Sequence, residues 1–78
     1  MVETRRTVAE WESDIGEQVR TLRRRRGLTQ QDLAEAANVS VGTVRNLESG
    51  AGSTLATVVA VARVLGRTDW LAGLAPPV

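Results

Sequence analysis

Residues 27–50 read GLTQQDLAEAANVSVGTVRNLESG, and this segment contains two short helical patterns separated by a turn. Thr29 is a good N-cap for the first pattern, and Asp32 follows at the position where a carboxylate completes a capping box. Ser40 can cap the second pattern. Between the patterns, Asn38 tolerates the left-handed conformation that a tight turn requires. The spacing therefore predicts two helices joined by three residues, which is the geometry of a helix-turn-helix.

The apolar residues of the same segment match the packing that this geometry requires. Leu33 and Ala34 face inward on the first helix, and Ala34 must be small because the second helix crosses close above it. Val39 closes the turn against the core, and Val44 and Leu47 anchor the second helix from below. The spacing of these residues therefore predicts the buried face of the two helices as well as the turn between them.

The segment before the motif also has helical spacing. Its apolar residues recur at steps of three and four, at Val8, Trp11, Ile15, Val19 and Leu22. Thr7 with Glu10 is a candidate capping box for this helix. Gly16 costs about 1 kcal/mol inside a helix. This cost leaves open two pieces, with the second starting near Ser13.

The segment after the motif predicts two more helices. A long helix ends at Leu65 and begins at Ser53 or Thr54, and Thr68 can cap a final short helix. No segment alternates polar and apolar residues over the length of a strand. The predicted fold class is all-α, with five helices. We divide the chain into an N-terminal extension or short helix at 1–12, the helix-turn-helix domain at 13–74 and a C-terminal tail at 75–78.

The composition excludes several classes of function. The 78 residues contain no Cys and no His, which removes disulfides, thiolate metal sites and the commonest general base. The aromatic residues are Trp11 and Trp70, too few for a base-stacking platform. Without a Gly-rich phosphate loop or a Ser/His pair, we expect no enzyme, cofactor, metal or small-molecule substrate. No apolar run reaches the length of a membrane span and no signal core is visible, so a soluble cytoplasmic protein is expected.

The positive charge is concentrated in one short segment. The net charge is only +1, yet residues 20–26 hold five of the ten basic residues, all of them Arg, and no acid. Any contact with nucleic acid must therefore come from a local arrangement of charge. These arginines also complement the dipole at the end of the first helix. Arg24, Arg25 and Arg26 are consistent either with solvated side chains or with contacts to DNA phosphates.

The stretch from Gly27 to Gly50 resembles the core motif of the lambda-repressor-like family of bacterial and phage regulators, also called Cro or XRE. With the flanking helices, the resemblance covers about residues 14–72. Asn38 stands where Gly is usual, and the short connection at 50–53 lacks residues that often contact phosphate. The resemblance implies a compact five-helix domain whose second motif helix lies in the major groove of double-stranded DNA.

The resemblance also implies which residues contact DNA. The expected base contacts are Val41, Thr43, Arg45 and Asn46, and the expected phosphate contacts are Gln30, Thr29 and Ser40. Arg45 is the strongest of them because its fork matches the two acceptors of guanine. In the family, the position of Arg23 pairs with the acid at Glu48 and ties the first helix to the recognition helix. Taken singly, Arg45 and Gln30 also fit ordinary solvated helix residues, and Gly42 fits a merely permissive position.

The helix at 55–65 is apolar on nearly all sides, which predicts a second protein surface. A single core would use Leu55, Val58, Ala62 and Leu65 from it. The expected dimer or partner surface then comprises Val59, Val61, Val64, Trp70, Leu71 and Leu74. A symmetric homodimer is the commonest arrangement, and a tight monomer core that buries all these residues is the alternative.

Two functions fit these features. The first is a transcriptional repressor that binds a near-palindromic operator as a homodimer. The second is an antitoxin that binds a protein toxin as well as its own operator. Residues 65–76, LGRTDWLAGLAP, are similar to the end of small HipB-type antitoxins, and this similarity is the basis of the second function.

Overall fold

The computed structural model describes residues 5–75, and in this range the chain is all-helical with five helices. The helices are α1 (Val8–Arg25), α2 (Gln30–Ala37), α3 (Val41–Ser49), α4 (Leu55–Val64) and α5 (Asp69–Ala72). Helix α3 packs on α1 and α2, and α4 packs on α2. The predicted fold class and helix number are therefore confirmed. The division of the chain at 1–12, 13–74 and 75–78 stays a prediction, and residues 1–4 and 76–78 lie outside the described range.

Local capping signals set the starts of the first four helices. Thr7 with Glu10 forms a full capping box on α1, and Thr29 with Asp32 forms one on α2. The Ser40 and Thr54 side chains cap α3 and α4. Thr68 precedes α5 but makes no side-chain capping bond, so that prediction is wrong. Thr68 itself has helical dihedrals, with φ −65° and ψ −15°, whereas the four true caps are extended.

Helix α1 is a single unbroken helix that passes through Gly16, so the two-piece alternative is wrong. A Cβ atom at Gly16 would lie 2.5 Å from the backbone oxygen of Leu47 and 2.6 Å from that of Glu48. Gly16 therefore allows the backbones of α1 and α3 to cross almost in contact. The cost of a glycine in a helix is balanced by this close approach of the helix that carries the candidate DNA contacts.

Residues with positive φ end both helices of the motif. Asn38 ends α2 in the left-handed conformation, with φ 58° and ψ 46°, as predicted. Gly50 ends α3 at φ 75°, where a Cβ would also lie 2.7 Å from the Ser13 hydroxyl oxygen. The turn at Asn38 and the crossing at Gly16 together determine how α3 is presented.

The core lies between α1, α2, α3 and α4. Its buried apolar residues are Val19, Leu33, Ala34, Ala37, Val44, Leu47, Val61 and Leu65. Val61 is 1% exposed, which corrects its assignment to a partner surface. Leu55 is 74% exposed, which corrects its assignment to the core. Leu55 is the first residue of α4 and lies beyond the core-facing side that Val58, Val61, Ala62 and Leu65 form. No helix within residues 5–75 is long and apolar enough to cross a membrane.

Candidate nucleic-acid interface

The exposed side of α3 carries the candidate base contacts. Val44 and Leu47 are buried, which leaves Arg45 and Asn46 facing solvent, and Val41 and Thr43 are half-buried at the helix start. The side chain of Arg45 forms no hydrogen bond or ion pair within residues 5–75, so all the donors of its guanidinium are available to a ligand. The helix is thus anchored on one side and presents a free arginine on the other.

Gly42 lies on this helix with open space around it. A Cβ at Gly42 would meet Ser40 Oγ at 3.8 Å, which is ordinary contact. Nothing in the described chain therefore requires a glycine here, in contrast to Gly16. Because glycine has no side chain, this position allows a ligand to approach the backbone at the start of α3.

Three of the predicted polar contacts take part in helix capping: Thr29 and Ser40 are N-caps, and Thr43 is hydrogen-bonded to Ser40. Ser40 Oγ accepts a hydrogen bond from the Thr43 amide at 3.1 Å and shares another with Thr43 Oγ1 at 2.8 Å. Thr29 Oγ1 accepts from the Asp32 amide at 3.0 Å. Their side chains therefore hold the first turns of α2 and α3 in place. Any hydrogen bond from these side chains to DNA must therefore leave the capping bonds in place.

Glu48 forms the centre of a buried polar network, and its side chain is fully inaccessible. Arg23 Nε donates to Glu48 Oε2 at 2.6 Å, and Arg23 Nη2 donates to Glu48 Oε1 at 3.1 Å. The third nitrogen, Arg23 Nη1, donates to the backbone oxygen of Leu28 at 2.8 Å. This bidentate pair joins α1 to α3 directly, in the arrangement that the resemblance implies.

Two further donors surround the same carboxylate. Gln30 Nε2 donates to Glu48 Oε1 at 3.1 Å, and Arg20 Nε lies 3.5 Å from the same oxygen. We define the Glu48 network as Arg20, Arg23, Gln30 and Glu48. Within residues 5–75, no buried side-chain polar atom lacks a partner.

The donors of the network keep the Glu48 carboxyl ionised. Burial raises the pKa of this carboxyl, but the hydrogen bonds from its donors, that of Arg23 first, lower it more. Its pKa therefore lies below the usual value. A carboxylate only accepts hydrogen bonds, so it also fixes the amide nitrogen of Gln30, rather than the oxygen, toward the network.

Neither the place of Arg20 in this network nor the bond between Gln30 and Glu48 is predicted from the sequence. The available signal for Arg20 was its spacing, because it lies three residues before Arg23 and so on the same side of α1. No sequence signal connects Gln30 with Glu48, since the two residues are 18 positions apart and on different helices.

A second surface consists of apolar side chains from α1, α4, α5 and the residues just after α5, of which Ile15, Leu55 and Leu74 are exposed and Trp70 and Leu71 are half-buried. Leu74 is 82% exposed and Leu55 is 74% exposed. They line one groove with Ile15, Gln18, Val58, Trp70 and Leu71. We call Ile15, Leu55, Trp70, Leu71 and Leu74 the apolar face.

The predicted partner surface is thus only partly brought together. Trp70, Leu71 and Leu74 lie in the groove of the apolar face. Val59 and Val64 are half-buried, and Val64 lines a different depression with Asn38 and Arg63. Val61 is in the core.

Comparison with known proteins identifies the motif and a relative. The profile of the helix-turn-helix family matches residues 19–71, which include the second half of α1 and reach into α5. The competence pilus inhibition repressor of Acinetobacter baylyi is 51% identical over 37 residues, which is 47% of this chain. That match spans 34% of the length of the relative, so the chain corresponds to about a third of that protein.

Proposed function

Because this chain belongs to the Cro/XRE-type helix-turn-helix family of DNA-binding regulators, we propose that it is a transcriptional repressor that binds a near-palindromic DNA operator as a homodimer. The proposal includes no catalysis and no cofactor. The relative from Acinetobacter baylyi is named a repressor, and this supports the sign of regulation that we propose.

The free guanidinium of Arg45 is the observation that carries the proposal. It stands on the solvent side of a helix whose other side is held by Val44 and Leu47 in the core. A bidentate contact from Arg45 to guanine is the most specific single contact that this surface offers. Asn46 can pair with adenine in the same groove, and Val41 can pack on a thymine methyl group.

The proposed phosphate contacts come from the helix starts on either side of the turn. Gln30 has a second amide hydrogen that the bond to Glu48 leaves available. The hydroxyls of Thr29 and Ser40 accept capping bonds, and that of Ser40 also shares a bond with Thr43 Oγ1. We propose that the contacts to phosphate use the hydroxyl hydrogen of Thr29 and the first amides of α2 and α3. Such contacts position the domain without reading sequence.

Support for a homodimer comes from the apolar face. A single small chain rarely leaves a cluster of large apolar side chains in water without a partner. Two copies would place two α3 helices about 34 Å apart, one helical turn of DNA. With a net charge of only +1, non-specific attraction to DNA is modest, so paired specific contacts would supply most of the affinity.

An antitoxin remains the second candidate function. The observation that favours it is the division of surfaces: the candidate DNA contacts lie on α2 and α3, whereas the apolar face is built from α1, α4 and the end of the chain. One chain could therefore bind DNA and a protein toxin at the same time. A stable homodimer that buries the apolar face would contradict this alternative.

Selection of bound duplexes from a random DNA pool tests the proposed function. We expect an inverted repeat whose half-site centres are 10 to 10.5 base pairs apart, roughly one helical turn. Arg45→Ala should weaken binding to the selected site by about 1–3 kcal/mol and relax the preference at one base position. Arg63→Ala, which removes an exposed arginine from α4, is the matched control and should keep the preference. Recovery of no enriched sequence would refute the proposal.

A further inference from the structure

We propose that Arg20 and Gln30 together form a clamp for one phosphate of the DNA backbone, with Arg20 supplying the charge and Gln30 a neutral donor. This inference rests on the proposed function and adds to it a contact, Arg20, that the family motif does not indicate. It concerns the binding site and not the apolar face.

Glu48 Oε1 holds the two clamp residues side by side. Gln30 Nε2 lies 3.1 Å from this oxygen and Arg20 Nε lies 3.5 Å from it. Because both nitrogens contact the same oxygen, the distance between them cannot exceed the sum of these two distances. That separation lets both side chains reach the oxygens of one phosphate group.

Both side chains have donors left over. A guanidinium carries five N–H groups, and the closest approach of Arg20 to the carboxylate, 3.5 Å, is made by its Nε. The Arg20 side chain is 41% exposed, so part of it remains open to solvent. Gln30 is half-buried and uses one of its two amide hydrogens on Glu48. The remaining donors are those that a phosphate accepts.

The charges of the network also favour an anion. Two guanidinium groups face one carboxylate, which leaves an excess of one positive charge. Arg23 is 9% exposed and uses all three nitrogens inside the chain, so the excess is presented by Arg20. Because Glu48 is fully inaccessible, an approaching phosphate meets the donors and not the carboxylate.

Arg20 differs from most other arginines of the basic segment because its side chain is held by an ion pair with Glu48. The side chains of Arg24, Arg25 and Arg26 are exposed and form no hydrogen bond or ion pair within the described residues. A side chain that is already held loses less conformational entropy when it binds a ligand. The geometry therefore selects Arg20 from the five arginines at 20–26 as the phosphate contact.

The test is the salt dependence of DNA binding by the full chain, measured on the selected duplex between about 50 and 200 mM NaCl. Each neutralised phosphate contributes about 0.9 to the slope of log K against log salt concentration. We expect Arg20→Gln to reduce the magnitude of the slope by about 0.9 per bound chain, which is about 1.8 for the homodimer, and to weaken all duplexes alike. Gln30→Ala should weaken binding without changing the slope, because Gln is neutral.

Three further variants make the result decisive. Arg63→Gln removes the same charge from α4 and should leave the slope as in the wild type. Arg20→Lys keeps the charge and should retain the slope, which separates loss of charge from any loss of folding. The double variant with Arg20→Gln and Gln30→Ala should lose less than the product of the two single losses, because both residues serve one phosphate.

An unchanged slope in Arg20→Gln, with normal wild-type binding, would overturn the clamp and leave the proposed function standing. A loss confined to one operator sequence would also overturn it, since a phosphate contact carries no sequence information. If the wild-type chain binds no duplex at all, the proposed function fails and the clamp fails with it.

Discussion

The Glu48 network and the apolar face both include residues of α1, but they differ in which kind of side chain is exposed to solvent. In the network, the charged groups of Arg23 and Glu48 are buried and pair with each other. In the apolar face, large hydrocarbon side chains such as Leu55 and Leu74 are left in solvent. The buried Arg23–Glu48 pair is complete within one chain, whereas the apolar face leaves surface that a partner could bury.

The two regions therefore have different roles in the fold. The network determines where α3 lies relative to α1 and α2, and so how the candidate DNA contacts are presented. In the apolar face, Trp70 packs against the core, whereas Leu55 and Leu74 contribute little to the single domain and are available for association. Substitutions in the two regions should therefore differ in which quantity they change.

Glu48→Ala should have the largest effect on folding. It leaves Arg23 buried without its carboxylate, and breaking such a pair typically costs about 3–5 kcal/mol of unfolding free energy. Urea denaturation followed by circular dichroism measures the loss. Glu17→Ala, an exposed carboxylate on α1, is the control and should change stability by less than about 0.5 kcal/mol. Equal effects of the two substitutions would mean that the network does not support the fold.

Gly16→Ala should destabilise the chain by about 1–3 kcal/mol, because the added Cβ would lie 2.5 Å from the Leu47 backbone oxygen. The control is Gly42→Ala, where the nearest atom would be 3.8 Å away. In that variant the gain in helix propensity should raise stability by up to about 1 kcal/mol. Thermal unfolding distinguishes the two signs, and a stabilised Gly16→Ala would disprove the close crossing.

The network should also make stability depend on acid pH. The pKa of Glu48 in the folded chain lies below its ordinary value of 4.5. Its contribution is therefore fully present above pH 4.5 and is lost as the pH falls through the lowered folded-state pKa.

Urea midpoints measured at a series of pH values below 5 show this loss as a difference between wild type and Glu48→Gln. Part of the acid sensitivity should persist in the variant. Hydrogen bonds from Thr7 and Thr29 lower the pKa of the capping residues Glu10 and Asp32 as well. Identical pH profiles for the two proteins would contradict the assignment to Glu48.

The smallest effect on folding is expected at the apolar face. Leu55→Ser and Leu74→Ser replace side chains that are mostly exposed, so at low protein concentration the unfolding free energy should change by less than about 0.5 kcal/mol. Sedimentation at higher concentration should nevertheless shift toward monomer if this face joins two copies. Val8→Ser, 77% exposed but not lining the groove, is the matched control. An unchanged sedimentation profile in both leucine variants would remove the apolar face as the dimer surface.

Local signals predicted much of this architecture. The capping boxes at Thr7 and Thr29, the turn at Asn38 and the inward positions Leu33 and Val44 depend on residues a few positions apart. Their physics is contained within one or two helical turns, so spacing and residue type are sufficient. The wrong predictions concern the cap at Thr68 and the way in which α4 and α1 meet the rest of the chain.

The sequence alone was thus enough for five helices, most of their starts and the motif, because backbone capping and helical periodicity act between near neighbours. Only the tertiary structure placed Val61 in the core and Leu55 outside it, since an evenly apolar helix does not indicate which side faces inward. It also revealed that Gly16 is where α1 and α3 cross, and that Arg20 and Gln30 converge on Glu48. These contacts join positions far apart in the chain, and they exist only after hydrophobic burial has packed the helices together.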